Sequence, residues 1–178
     1  YTAARAGLRF TAVSSDAFAT VKLRSMAAYG AEVLLEPSEN GAITPDLIAR
    51  MRDRACSLAA EPDTWDTDQF GNADIRPGYA PMGAEIAAVL GVRLSVLCAG
   101  VGTGGALMGA IDGLEEAGCR PDVVVLEPTE SPLLTTGTGG PHRVEGVGVG
   151  FEPPFLDTER ITEVRTVDQD EAVAMCRR

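Results

Sequence analysis

Short apolar runs alternate along the chain with segments whose apolar positions recur at helical spacing. Such runs are typical of buried strands, and the segments between them are typical of helices that cover a sheet. The apolar runs predict strands at residues 8–13, 31–35, 94–99, 122–126 and 161–167, and a further short one that ends near Gln69. The segments between them predict helices at residues 16–29, 44–56, 84–90, behind the glycines at 100–105, and from Asp168. This alternation predicts an α/β fold with a mainly parallel sheet.

Local signals mark the ends of several predicted elements. Thr44 followed by Pro45 is typical of an N-cap and a first helical turn, and Gly30 is typical of a helix end. Residues 71–83 are rich in Gly and Pro and predict a linker or a working loop. The helix before Gly30 is predicted to turn four residues inward, namely Ala17, Val21, Met26 and Ala27.

Composition and charge narrow the class of protein. The 178 residues are 45% hydrophobic, which is enough for a packed core. The net charge is −11 and the 15 Lys and Arg residues are scattered, so we predict no nucleic-acid surface. No apolar run approaches the ~20 residues of a membrane span, and no charged-then-apolar leader opens the chain. No membrane partner and a cytoplasmic location are therefore predicted.

The metal-binding residue types are sparse and far apart. None of the four cysteines has a second ligand at a zinc-binding spacing, so they indicate free thiols in a reducing compartment. The single histidine, His142, excludes a site built on several imidazoles. No metal site is predicted.

Residues 94–117 contain the clearest candidate site, because an apolar strand runs into a glycine loop that opens directly onto a helix. This arrangement is typical of anion binding, since glycines let backbone N–H groups close around a phosphate at a positive helix terminus. Gly100, Gly102 and Gly105 fit a dinucleotide fingerprint in which Glu127 would hold the ribose. Alternatively, Gly102–Gly105 cups a single phosphate with help from the Thr103 hydroxyl. A tight turn without a ligand is the third interpretation, and the loop residues alone do not decide among the three.

Longer motifs point to one family. The chain resembles the cysteine synthase and cystathionine β-synthase family of fold-type II pyridoxal-phosphate enzymes. The resemblance implies part of a tryptophan synthase β-like fold, with two open, mainly parallel twisted sheets flanked by helices and with both ends of the family fold missing. Residues 1–75 would form most of the small mobile domain, and residues 76–178 the core of the large cofactor domain. The matching segments, in family order, are AAYGAEVLLEP (27–37), QFGN (69–72), GAEI (83–86), AGVGTGGALMG (99–109), VVVLEPTESPLL (123–134) and GPHRVEGVGVGF (140–151).

The resemblance also implies roles for individual residues. Gln69 would help to bind the substrate carboxylate, and the segment containing Gly146 and Gly148 would pass close to the cofactor and close on the substrate. His142 and Glu127 would be structural. The family has a second threonine where this chain has Ala106, so one hydroxyl donor is lost. The 5′-phosphate of pyridoxal phosphate would be bound by Gly102, Thr103, Gly104, Gly105 and Ala106.

Two departures from the family pattern bear on chemistry. The family needs a lysine that bonds covalently to the cofactor, and the resemblance places that lysine upstream of Tyr1. The only lysine here, Lys22, falls where the family often has a solvent-facing basic residue, so no catalytic residue is predicted within the chain. The segment 69–86 is one residue shorter than the family pattern and has Pro81-Met82 in place of a threonine pair, which affects substrate specificity.

The resemblance implies a β-replacement reaction on an activated serine. O-acetylserine or O-phosphoserine would react with a sulfur nucleophile to give cysteine, and the intact enzyme would be a homodimer. Three alternatives stay open: a related lyase or dehydratase such as cystathionine β-synthase or serine/threonine dehydratase, a non-catalytic truncated relative that acts as a binding partner, and a dinucleotide-binding domain.

Overall fold

The computed structural model describes residues 1–178 and divides them into two compact units. The first unit comprises Tyr1–Asp66 together with Pro141–Glu145, and the second comprises Thr67–Gly140 and Gly146–Arg178. Both units contain parallel sheets with helices beside them, so the predicted α/β class is confirmed. None of the helices combines the length and the apolar character that crossing a membrane requires.

The first unit is built on a two-stranded parallel sheet. Strand β1 (Thr11–Ser15) pairs with β2 (Glu32–Glu36) in a register that runs from Thr11 opposite Glu32 to Ser15 opposite Glu36. The predicted N-cap is confirmed, because the Thr44 hydroxyl oxygen accepts a hydrogen bond from the Leu47 N–H at 3.1 Å. The elements are α1 (Thr2–Arg5), β1 (Thr11–Ser15), α2 (Thr20–Ala28), β2 (Glu32–Glu36) and α3 (Pro45–Ala59).

The prediction for the helix before Gly30 is wrong at two points. The helix α2 begins at Thr20 rather than residue 16, and Val21 is 70% exposed instead of facing inward. Ala27 is also exposed, whereas Met26 is half-buried as predicted; Leu23 is the other half-buried apolar residue of α2. The short helix has a weakly amphipathic sequence, so its apolar positions did not specify which side is buried.

The second unit contains a three-stranded parallel sheet in the order β3 (Val96–Gly100), β4 (Asp122–Pro128), β5 (Glu163–Val167). Its core lies where Val123 and Val125 of the central strand β4 pack against Leu107, Met108 and Ile111 of α5 (Gly105–Glu116). Because α5 begins a few residues after the end of β3, the loop between them lies at the end of the sheet. The elements are α4 (Ile75–Leu90), β3 (Val96–Gly100), α5 (Gly105–Glu116), β4 (Asp122–Pro128), α6 (Leu133–Thr136), β5 (Glu163–Val167) and α7 (Gln169–Cys176).

The predicted working loop at residues 71–83 is wrong, because most of this segment is the first half of α4. Pro77 lies in the first turn of the helix, where its missing N–H has no intrahelical acceptor in any case. The predicted strand near Gln69 is also wrong, since Gln69 lies in a turn closed by a hydrogen bond from the Asn72 N–H to the Asp68 carbonyl oxygen at 2.9 Å.

The glycines of α4 and α5 have a packing role. A β-carbon at Gly83 would lie 2.7 Å from the Leu114 nitrogen, and one at Gly109 would lie 2.6 Å from the Tyr79 β-carbon. A β-carbon at Gly113 would overlap the Ala80 carbonyl oxygen and would lie 2.9 Å from the Ala84 nitrogen. The two helices are therefore in backbone contact, and these glycines, including Gly83 of the predicted loop, allow this approach.

A charged cluster ties the second unit together beside these helices. Asp112 of α5 accepts a hydrogen bond from Nη2 of Arg76 at 2.7 Å and one from Nη1 of Arg160 at 2.7 Å. Nη2 of Arg160 also pairs with Glu115 at 2.9 Å. The carboxylate of Asp112 therefore links α4, α5 and the turn at Thr158–Arg160.

This cluster predicts a loss of stability in acid. The hydrogen bond from Arg76 outweighs the effect of burial and, with the hydrogen bond from Arg160, lowers the pKa of Asp112 from 3.8 to about 2. Because the folded pKa is depressed, the contribution of about 2 kcal/mol is present above pH 4 and is lost as the pH falls from about 4 to about 2. Urea unfolding at pH 5, 3 and 2 measures this loss. Asp112→Asn should be less stable at pH 5 and should show a shallower acid dependence; an unchanged acid dependence would contradict the prediction.

Candidate functional site

The glycine loop lies between the end of β3 at Gly100 and the start of α5 at Gly105. It therefore sits at the carboxyl edge of a parallel sheet, where open α/β folds bind their ligands. Gly104 precedes the helix in the left-handed conformation, with φ of +87°. A β-carbon there would lie 2.8 Å from the Leu156 nitrogen, so only glycine fits both the backbone angle and the space.

The loop presents hydrogen-bond donors at the start of α5. Ala106 lies in the first turn of α5, where backbone N–H groups lack an intrahelical acceptor and the helix dipole is positive. The Thr103 hydroxyl oxygen accepts a hydrogen bond from the Gly105 N–H at 3.3 Å, and its O–H remains able to donate. The predicted phosphate residues Gly102–Gly105 thus form one continuous turn, with Ala106 exposed beside it.

Glu127 faces the protein interior rather than a ligand. It is only 5% exposed, and its carboxylate accepts hydrogen bonds from the Leu134 N–H at 2.8 Å and the Thr135 N–H at 3.0 Å. The Thr135 hydroxyl donates a further hydrogen bond to the same carboxylate. Both carboxylate oxygens are therefore engaged inside the protein. The dinucleotide interpretation, which needed Glu127 to bind a ribose, is wrong on this point.

A second glycine segment, Gly146–Gly150, packs beside the glycine loop. The Gly148 N–H donates to the Val101 carbonyl oxygen at 3.0 Å. A β-carbon at Gly102 would lie 3.1 Å from the Gly146 carbonyl oxygen, so the two backbones are in close contact. The structure thus brings Gly102, Gly146 and Gly148 together, although they are far apart in the sequence.

Residues 155–156 also support the loop and were missed from the sequence. The Phe155 N–H donates to the Thr103 carbonyl oxygen at 3.1 Å, and Leu156 lies against Gly104 as described above. They follow a Glu-Pro-Pro run that carries no recognisable binding pattern. Their role depends on a contact between distant segments, so no local signal could have identified them.

Gln69 is exposed and precedes α4. The neighbouring ring of Phe70 lies 5.4 Å, centroid to centroid, from Phe151, which directly follows the second glycine segment. This contact between tilted rings links the Gln69 turn to the second glycine segment. The predicted contact between Gln69 and a substrate carboxylate stays a prediction.

Lys22 and His142 both belong to the first unit. The Lys22 side chain is 60% exposed and its ammonium group lies 3.2 Å from the Glu145 carboxylate, which is typical of a surface ion pair. His142 is 3% exposed and its backbone exchanges hydrogen bonds with Ile43, at 2.9 and 3.2 Å. No group of three His, Cys, Asp or Glu side chains is placed to bind a metal ion.

Comparisons with known proteins agree with the family that the sequence motifs indicate. A family model described as pyridoxal-phosphate dependent enzyme matches residues 1–178. A cysteine synthase from a Flavobacterium species is 34% identical over 172 residues, which are 96% of this chain and 54% of that protein.

Two solved structures are similar over almost the whole chain. The O-acetylserine dependent cystathionine beta-synthase from Helicobacter pylori has a TM-score of 0.81 and 32% identity, covering 98% of this chain and 56% of that one. A hydrogen sulfide-producing enzyme from Fusobacterium nucleatum has a TM-score of 0.86 and 26% identity, covering 99% and 58%. The chain thus spans about half the length of the relatives it matches.

Proposed function

Because this chain belongs to the family of pyridoxal-phosphate-dependent enzymes, we propose that Gly102–Gly105 binds the phosphate group of pyridoxal phosphate. The observation that carries the proposal is the position of this loop, between the end of β3 and the positive terminus of α5. The loop is lined by backbone N–H groups and one hydroxyl, which suit a single dianionic phosphate. Residues 1–75 would supply most of the small domain of the enzyme, and residues 76–178 the core of the cofactor domain.

The residues present fit the phosphate end of the cofactor. A side chain at Gly104 would collide with the Leu156 backbone and would disrupt the turn, and one at Gly102 would press against the Gly146 carbonyl oxygen. The exposed methyl group of Ala106 leaves the adjacent space open. The lysine that bonds covalently to the cofactor is not among the candidates here, since Lys22 is an exposed, ion-paired residue of the first unit. We therefore assign that role to a part of the enzyme other than these 178 residues.

Each part of the site has a separate task in this proposal. Bound pyridoxal phosphate supplies an electron sink for reactions at the α-carbon of an amino acid. The N–H groups of the glycine loop and the Thr103 hydroxyl hold the phosphate and so fix the cofactor in place. The Gln69 amide donates to the substrate carboxylate. Gly146 and Gly148 allow the second glycine segment to approach closely and to exclude water.

The relatives favour a sulfur-transfer reaction. We propose β-replacement on an activated serine, with O-acetylserine or O-phosphoserine as amino-acid substrate and a sulfur nucleophile as second substrate. Cysteine is the product if the nucleophile is sulfide. The similarity to an O-acetylserine dependent cystathionine beta-synthase favours, as the second candidate, a thiol amino acid as nucleophile. A homodimer and a cytoplasmic location also stay predictions.

Titration with pyridoxal phosphate and with pyridoxal tests the phosphate assignment. The two compounds differ only in the phosphate, so we expect the protein to bind the phosphorylated compound at least tenfold more tightly, because charge-assisted hydrogen bonds contribute about 1.5–3 kcal/mol. Isothermal titration calorimetry with NAD serves as the control. Equal affinity for both compounds, or tighter binding of NAD, would contradict the proposal.

Product analysis with the intact enzyme tests the reaction. Sulfide is supplied with O-acetylserine, O-phosphoserine or serine in turn, and cysteine is measured by mass spectrometry. We expect cysteine from at least one of the two activated serines and little from serine itself, since an unactivated hydroxyl is a poor leaving group. Formation of a keto acid without incorporation of sulfur would indicate a dehydratase instead.

A further inference from the structure

The buried carboxylate of Glu127 has no part in the proposed chemistry. It lies at the end of β4 and receives its hydrogen bonds from the first turn of α6, at Leu134 and Thr135. A buried carboxylate is costly unless hydrogen bonds compensate for the lost water, so these bonds fix α6 to the end of the sheet. Glu127 therefore sets where α6 begins.

A small cavity lies where α6 and the second glycine segment come together. Its volume is about 20 Å³, the size of one water molecule. Glu127, Ser131 and Leu134 line this cavity together with residues 148, 149 and 151. Because the gap is so small, a shift of α6 would change the packing of the second glycine segment directly.

Ser131 binds a neighbouring stretch of backbone that contacts the second glycine segment. It is 1% exposed, and its hydroxyl oxygen accepts a hydrogen bond from the Gly140 N–H at 3.1 Å. A β-carbon at Gly139 would lie 3.5 Å from that hydroxyl and 3.4 Å from the Gly150 carbonyl oxygen. Ser131 therefore holds the backbone at Gly139 and Gly140, and Gly139 in turn lies close to Gly150 at the end of the second glycine segment.

We propose that Glu127 and Ser131 are positioning residues for the cofactor site. They hold Gly146–Gly150 against Val101 and Gly102, and so set the shape of the phosphate-binding loop without touching the phosphate. The inference rests on the proposed function, because it assumes that this loop binds pyridoxal phosphate. It adds a role for the Glu-Pro-x-x-Ser motif at residues 127–131 that the binding assignment itself does not contain.

The substitution Glu127→Gln tests the inference. The amide replaces one acceptor oxygen with an NH₂ group that faces a backbone N–H of α6, so one of the three hydrogen bonds is lost. We expect pyridoxal phosphate to bind about tenfold more weakly, because a displaced second glycine segment should weaken the contacts of the glycine loop with the phosphate by the equivalent of about one charge-assisted hydrogen bond. Amide hydrogen exchange of Gly146–Gly150, followed by mass spectrometry without cofactor, should become faster.

Two control variants separate positioning from general stability. Glu130→Gln removes the same charge from an exposed residue of the same motif and should leave both measurements unchanged. Val164→Ala weakens the core beneath β5 and should lower the melting temperature while leaving affinity and segment exchange unchanged. If Glu127→Gln behaves like Val164→Ala, the inference is overturned. If the wild-type protein binds no pyridoxal phosphate, the proposed function fails instead, which is a separate result.

Discussion

Replacing Gly113 by alanine is expected to lower the free energy of unfolding by about 3 kcal/mol. The added methyl group would overlap the Ala80 carbonyl oxygen, and it would also meet the Ala84 nitrogen at 2.9 Å. Backbone atoms cannot move aside as a flexible side chain can, so α4 and α5 would have to separate. Urea unfolding followed by circular dichroism measures the loss.

Gly78→Ala is the matched control for this prediction. Gly78 also lies within a helix, α4, but a β-carbon there meets nothing within 4 Å. Alanine has the higher helix propensity, so this variant should be more stable than wild type by about 0.5–1 kcal/mol. Equal effects of the two substitutions would show that helix propensity, and not contact between the helices, decides the stability at these glycines.

Gly104→Ala is expected to weaken the binding of pyridoxal phosphate by about 100-fold. Alanine at a φ of +87° is strained by about 1–2 kcal/mol, and its β-carbon would lie 2.8 Å from the Leu156 nitrogen. The turn can relieve both effects only by moving the N–H groups that are proposed to hold the phosphate. Calorimetric titration of the variant measures the change in affinity.

The control for the glycine loop is Gly118→Ala. Gly118 also has a positive φ, of +78°, but a β-carbon there meets nothing within 4 Å and the residue lies beyond the opposite end of α5. It should carry the same backbone strain and lose about 1 kcal/mol of stability without a change in affinity. A similar loss of affinity in both variants would show that strain alone, rather than the position of the loop, weakens binding.

Local features of the sequence predicted much of this structure correctly. Apart from the strand predicted near Gln69, the order of the main strands and helices followed from periodicity, and the Thr44 cap followed from a side chain that bonds within its own turn. The glycine loop was also identifiable, because its strand, glycines and helix are consecutive. Recognition of the family required longer motifs, since the loop alone fitted a dinucleotide equally well.

The wrong predictions concern segments whose structure depends on contacts with distant residues more than on their own local sequence. The glycines and prolines of residues 75–83 indicate a loop, yet α4 forms because α5 offers a backbone surface that only small residues can approach. The support of Gly104 by Leu156 likewise joins segments that no pattern relates. These contacts determine the shape of the candidate site and become visible only in three dimensions.

The first unit is built from two separate stretches of the chain, and this has a consequence for its folding during synthesis. Its backbone bridge pairs Ile43 with His142, so the unit uses residues that are translated well after Asp66. At 5–20 residues per second, the ribosome needs roughly 4 to 15 s to pass from residue 66 to residue 141. Throughout that interval the backbone of Ile43 lacks its pairing partner, His142, and this side of the unit stays exposed. Synonymous codons that slow translation between these positions should therefore prolong the exposure of the nascent first unit.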